Sequence, residues 1–93
     1  MTPEEEIRRA GRAREILDNE MFKEAVAAIE EAIRNARLNS TVKDVEFREK
    51  LYAQELALTS IVRNLQTFME SGQLAEEELR RRSMLDAAKE LFN

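Results

Sequence analysis

The sequence predicts an all-α protein, a helical hairpin or bundle of about four helices built around one long central helix and assembled as an oligomer. Only two glycines and one proline occur in 93 residues, so the tight turns that sheets require have little support. Apolar residues recur at spacings of three and four, as on one face of a helix. A chain of this length buries only about 60 to 65% of its unfolded surface, so self-association is expected.

The first predicted helix begins at Thr2 and Pro3 and runs to Leu17. Thr2 suits the N-cap, Pro3 suits the first turn, and Glu5 follows the cap by three residues. Gly11 should weaken this helix by about 1 kcal/mol relative to alanine. Its apolar stripe is narrow, which predicts a short helix packed against a larger body.

The second predicted helix follows a break at Asp18 and Asn19, whose side chains favour caps and turns. It begins near Glu20, and its charged residues lie opposite a continuous apolar face. That face comprises Phe22, Ala25, Val26, Ile29, Ala32, Ile33 and Ala36. Because the alanines on or beside it, including Ala28, would admit a neighbouring helix closely, we expect this helix at the packed centre.

The third predicted helix is the longest, from Val42 to about Glu70, after a capping box formed by Thr41 and Asp44. Its apolar positions alternate between spacings of four and three, which is a heptad pattern. This heptad seam consists of Phe47, Leu51, Gln54, Leu58, Ile61, Leu65 and Phe68. As the single polar member, Gln54 either sets register and oligomer state or lies at the edge of the seam and reaches water.

A fourth helix is predicted from about Gln73 to Leu91, because Gly72 suits the left-handed position just past a helix end. Charged runs interrupt its apolar stripe. No repeat, low-complexity run or linker divides the chain, so residues 1–93 are predicted to form one domain.

Chemistry at an active site is not legible in the sequence. The chain has no cysteine and no histidine, which removes the usual thiolate nucleophile, general base and transition-metal ligands. Two glutamate groups, Glu46 with Glu49 and the run 76–78, have metal-like spacing but fall on charged faces. Phosphate loops and nucleophile elbows are also missing. We therefore expect a non-enzymatic protein with no catalytic, metal or cofactor-binding residue.

Basic residues cluster at Arg80, Arg81 and Arg82. This cluster is a candidate contact for an anionic partner, and the alternative is surface charge paired with neighbours such as Glu78. The net charge of −4 works against a broad DNA interface, so nucleic acid is a possible but not a favoured partner. No stretch is long and apolar enough for a membrane span, and the acidic start does not resemble a signal peptide.

Three segments of the chain resemble short all-helical proteins found in tailed-bacteriophage genomes, typically without assigned function. The resemblance lies in residues 12–25, in the pattern of Asp44, Glu46, Arg48 and Leu51, and in residues 70–75. It covers about residues 12 to 75. That family has no defined functional residue, so none is carried over to this chain.

The resemblance implies a self-associating structural or assembly protein that acts in head assembly or DNA packaging, with a small-terminase-like accessory as one form. Its partners would be further copies of itself and a larger protein assembly, in the host cytoplasm or on the virion. The alternative is a small phage inhibitor that binds a host enzyme or defence complex. The sequence alone does not decide between the assembly function and the inhibitor function.

Overall fold

The computed structural model describes residues 1–92, and these residues form three helices with no strand among them. Helix α1 spans Pro3–Asp18, α2 spans Glu20–Leu38 and α3 spans Val45–Phe92. The predicted all-α class is confirmed. The predicted count of four helices is wrong, because the third and fourth predicted helices are one continuous helix of 48 residues.

Side-chain caps begin the helices. The Thr2 hydroxyl oxygen accepts a hydrogen bond from the Glu5 amide at 3.2 Å, as predicted. The Asn19 side chain accepts from the Phe22 amide at 2.9 Å, so the break at Asn19 is a one-residue junction between α1 and α2. At α3 the predicted capping box is replaced by Asp44 alone, whose carboxylate accepts from the Phe47 amide at 3.4 Å. Helix α3 consequently begins at Val45 rather than Val42.

The described chain groups into two compact units. Unit 1 contains residues 1–15 and the part of α3 from Leu65 onward, and unit 2 contains residues Ile16–Asn64. Each unit brings one of the two shorter helices against part of α3. The prediction of a single domain stays a prediction.

Unit 1 is held by small residues where α1 meets α3. Ala10 and Ala13 of α1 and Ala75 of α3 are buried. A Cβ added at Gly72 would lie 2.1 Å from the Ala10 Cβ and 3.3 Å from the Glu6 carbonyl oxygen. Gly72 therefore has a packing role rather than the predicted role as a helix end, and it has no positive φ angle.

One arginine of α1 completes this packing. The Arg9 guanidinium carbon lies 4.2 Å from the centroid of the Phe68 ring, a cation–π contact worth roughly 0.5 to 2 kcal/mol. The Arg9 Nε is buried with no hydrogen-bond partner within residues 1–92. The Arg9 side chain is thus half-buried and contributes less to the surface charge of α1. It packs against Phe68, the last residue of the heptad seam.

Unit 2 is an antiparallel helical hairpin formed by α2 and the first part of α3. Arg37, near the end of α2, forms an ion pair with Glu55 and lines a groove with Val45, near the start of α3. Phe22, near the start of α2, lines a groove with Val62, further along α3. Ile33 and Leu51 are the buried large side chains of this hairpin. Their positions define the side on which each helix contacts the other.

Candidate interaction surface

The heptad seam of α3 divides into a packed row and an exposed row. Leu51, Leu58 and Leu65 recur every seven residues and are buried or half-buried. Phe47, Gln54 and Ile61 also recur every seven residues, and all three are exposed. Phe68 continues this second row but is half-buried in unit 1.

The first two residues of the packed row face α2 within the hairpin. Leu51 is buried, and Leu58 lines a groove together with Ile33 of α2. Apolar contact with α2 accounts for Leu51 and Leu58, whereas Leu65 is half-buried within unit 1. The second row is less covered: Ile61 leaves 55% of its surface in solvent and Phe47 leaves 39%.

Helix α2 has an exposed apolar row of its own. Met21, Ala25, Ile29 and Ala32 are exposed and Ala36 is half-buried, at spacings of four and three. The prediction that α2 lies at a packed centre is not met on this side of the helix, because Ala25, Ala28 and Ala32 are exposed. Contact with α3 falls to Phe22, Val26 and Ile33 instead, because one neighbouring helix covers only one side of α2.

These two exposed rows lie on the same side of the hairpin. Successive residues of an α-helix are about 100° apart around its axis. The buried residues Ile33 and Leu51 mark the direction in which each helix faces the other. The centre of the exposed α2 row lies roughly 90° before the direction of Ile33, and the centre of the exposed α3 row lies roughly 60° before that of Leu51. Both offsets run in the same sense along the chain. Because the two helices are antiparallel, residues with such offsets lie on the same side of the two-helix layer. We call this surface the hairpin face, made of Met21, Ala25, Ile29, Ala32 and Ala36 with Phe47, Gln54 and Ile61.

The opposite side of the hairpin is charged. Its α2 positions include Lys23, Glu30 and Arg34, and the Arg37–Glu55 ion pair also lies there. An open groove of about 530 Å³ follows this side. Exposed apolar residues occur here as well, at Val45, Tyr52 and Leu56 of α3 and at Ala27 and Leu38 of α2. The hairpin face differs from this side because its apolar residues form continuous rows, whereas here charged residues separate them.

The predicted contact for an anionic partner lies in unit 1. Arg80, Arg81 and Arg82 are all exposed on α3, and Arg82 forms an ion pair with Glu78 four residues earlier. The expected pairing with a neighbouring glutamate is therefore seen for Arg82. Beyond the cluster, α3 carries a further exposed apolar stripe, formed by Met84, Leu85, Leu91 and Phe92.

Two features of these surfaces were missed from sequence. The first is the α1–α3 crossing. Its signal in the sequence is two pairs of small residues, each pair three residues apart: Ala10 with Ala13, and Gly72 with Ala75. The second is the exposure of the α2 alanines. Small residues at helical spacing permit close approach of another helix, but the sequence does not say whether that helix belongs to the same chain.

The described residues contain neither a metal-binding cluster nor a membrane-spanning helix. Within residues 1–92, no three acidic side chains come together as a group that could hold a metal ion. None of the three helices over that range has the length and apolarity needed to cross a bilayer. Comparison with protein-family models, curated proteins and solved structures finds no match for the chain.

Proposed function

We propose that this chain is a non-enzymatic assembly protein of a tailed bacteriophage, a self-associating helical module that docks on a larger viral complex in head assembly or DNA packaging. The observation that carries the proposal is surface area. A folded monomer of 10.8 kDa exposes about 5,500 Å², whereas this chain exposes 7697 Å². The difference of about 2,200 Å² exceeds the roughly 800 Å² per partner that a stable interface buries.

The kind of surface supports the same proposal. Sixteen large apolar side chains are exposed within residues 1–92; four of them lie on the hairpin face and four form the stripe at the end of α3. Contiguous exposed apolar surface marks sites of protein interaction. The phage context of the proposal rests on the resemblance of residues 12–75 to short phage proteins.

Phage particles provide the direct test of this function. In cells infected by a phage that encodes this sequence, we expect the protein in purified particles or in assembly intermediates, at a fixed copy number. Quantitative mass spectrometry of gradient fractions measures this. If the protein is instead absent from every particle fraction and co-purifies with one host enzyme, the assembly function is wrong and the inhibitor alternative replaces it.

The arginine cluster tests the DNA-packaging form of the proposal. We expect Arg80→Glu with Arg81→Glu to abolish any salt-dependent shift of DNA, because phosphate contacts by arginine dominate such binding. Charge reversal of Arg8 and Arg12, exposed on α1, is the matched control and should leave the shift in place. A shift that survives the first variant would remove this cluster as the contact.

A further inference from the structure

The hairpin face has the composition of an interior rather than of a solvated surface. Its members from both helices are apolar except Gln54, and the charged residues of α2 lie elsewhere on the helix. Lys50 is the charged residue of α3 at its edge. Each helix of the hairpin therefore has two apolar sides, of which contact within unit 2 covers one.

A two-helix layer with an uncovered apolar side needs a second layer, because domains are stable when two packed layers enclose a core. No described segment of the chain supplies that layer, since Ile29, Phe47 and Ile61 remain exposed. We infer that a second copy of this chain covers the hairpin face, so that two hairpins form a four-helix bundle. This inference rests on the proposed function and names the partner and the surface of its self-association.

The shape of the face suits a second copy in particular. In a two-fold dimer the same patch is used twice, so the patch must be complementary to itself. The α2 row offers short alanine side chains at positions 25, 32 and 36, while Ile29, Phe47 and Ile61 supply bulky ones. Bulky residues of one copy can thus pack over the alanines of the other, as in the interdigitated layers of a bundle.

Charge argues against an ionic partner for this face. A partner recognised by charge would need several arginine, lysine or carboxylate side chains within the patch, and Lys50 at its edge is the single one. Burial of about 800 Å² per copy would remove less than half of the whole chain's excess exposed area of roughly 2,200 Å².

Two pairs of variants test the inference on the full chain. Ile61 and Leu56 of α3 are exposed to 55% and 53%, and they lie about 140° apart around the helix. Ala25 and Ala27 of α2 are both exposed and lie on opposite sides of the hairpin. We expect Ile61→Asp and Ala25→Arg to reduce the mass of the wild-type dimer by half in light scattering. Leu56→Asp and Ala27→Arg should retain the dimer mass.

Circular dichroism of each variant monitors folding, and Ala25→Arg keeps the test valid if Ile61→Asp alone unfolds. The outcomes separate the two proposals. If the wild type associates but only Leu56→Asp and Ala27→Arg dissociate it, the hairpin face is not the interface while self-association stands. If the wild type is monomeric at every concentration, self-association itself is wrong.

Discussion

At the scale of single residues, the two glycines have opposite consequences although both lie within helices. Gly11 has open space around it, since nothing lies within 4 Å of an added Cβ. Gly72 faces Ala10 so closely that an added Cβ would require α1 to move. The sequence presents Gly11 as a weak point within a helix and Gly72 as a helix end, and only the packing of α1 on α3 reveals the role of Gly72.

This contrast predicts opposite effects on stability. Gly72→Ala should lower the free energy of unfolding by about 1 to 3 kcal/mol, because the extra methyl group overpacks the crossing. Gly11→Ala should raise it by about 0.5 to 1 kcal/mol, because a helix interior prefers alanine. Urea titration followed by circular dichroism measures both. Equal effects of the two substitutions would contradict the close approach at Gly72.

Gln54 is a second residue whose meaning depends on its surroundings. The sequence allows Gln54 either to set register or to reach water at the edge of the seam, and in the single chain its side chain is exposed. In the proposed dimer it is the polar member of an apolar interface. There its amide would need a partner across the interface, since an unsatisfied buried amide costs about 1 to 3 kcal/mol.

We therefore expect Gln54→Leu to strengthen association while loosening its specificity. A polar residue in a bundle core fixes oligomer state at a cost in stability, so its removal should raise the thermal midpoint and yield more than one oligomer. Analytical ultracentrifugation measures the distribution of masses. Gln66→Leu, exposed elsewhere on α3, is the control and should keep a single species. An unchanged mass distribution for Gln54→Leu would assign this residue to solvent.

At the scale of elements, the caps and helical periodicities could be predicted from the sequence, and the end of the third helix could not. Thr2 and Asn19 act as local signals, because a cap side chain bonds to an amide three residues away. Gly72 is also a helix-end signal locally, but tertiary contact with Ala10 outweighs it. The division of the heptad seam into two rows likewise depends on where α2 lies, which spacing alone does not determine.

That division predicts two kinds of defect from similar substitutions in one helix. Leu58→Asp should unfold the hairpin, because it places a charge on the half-buried row that contacts α2. Ile61→Asp should leave the hairpin helical but dissociate the dimer, so its thermal midpoint should fall only to that of dilute, dissociated wild type. Helix content and thermal midpoint report the first effect, and solution mass reports the second. A folded Leu58→Asp variant with the wild-type midpoint would show that this row does not hold the hairpin.

At the scale of the whole molecule, the expectation of partners follows from length, and the proposed self-association takes the exposed area as its argument. Within residues 1–92 the buried apolar residues are few, namely Ala10, Ala13, Ile33, Leu51 and Ala75. Three of these five are alanines, which contribute little apolar area each. A core of this kind leaves much of the stabilisation by burial to association, so stability should depend on protein concentration.

We propose that a second copy of this chain completes its core. The solution mass of the protein, measured by light scattering over a concentration series, tests this directly. We predict a mass of twice 10.8 kDa at high concentration that falls toward 10.8 kDa on dilution. The thermal midpoint should fall over the same range of concentration. A mass of 10.8 kDa at every concentration, with a constant thermal midpoint, would contradict the claim.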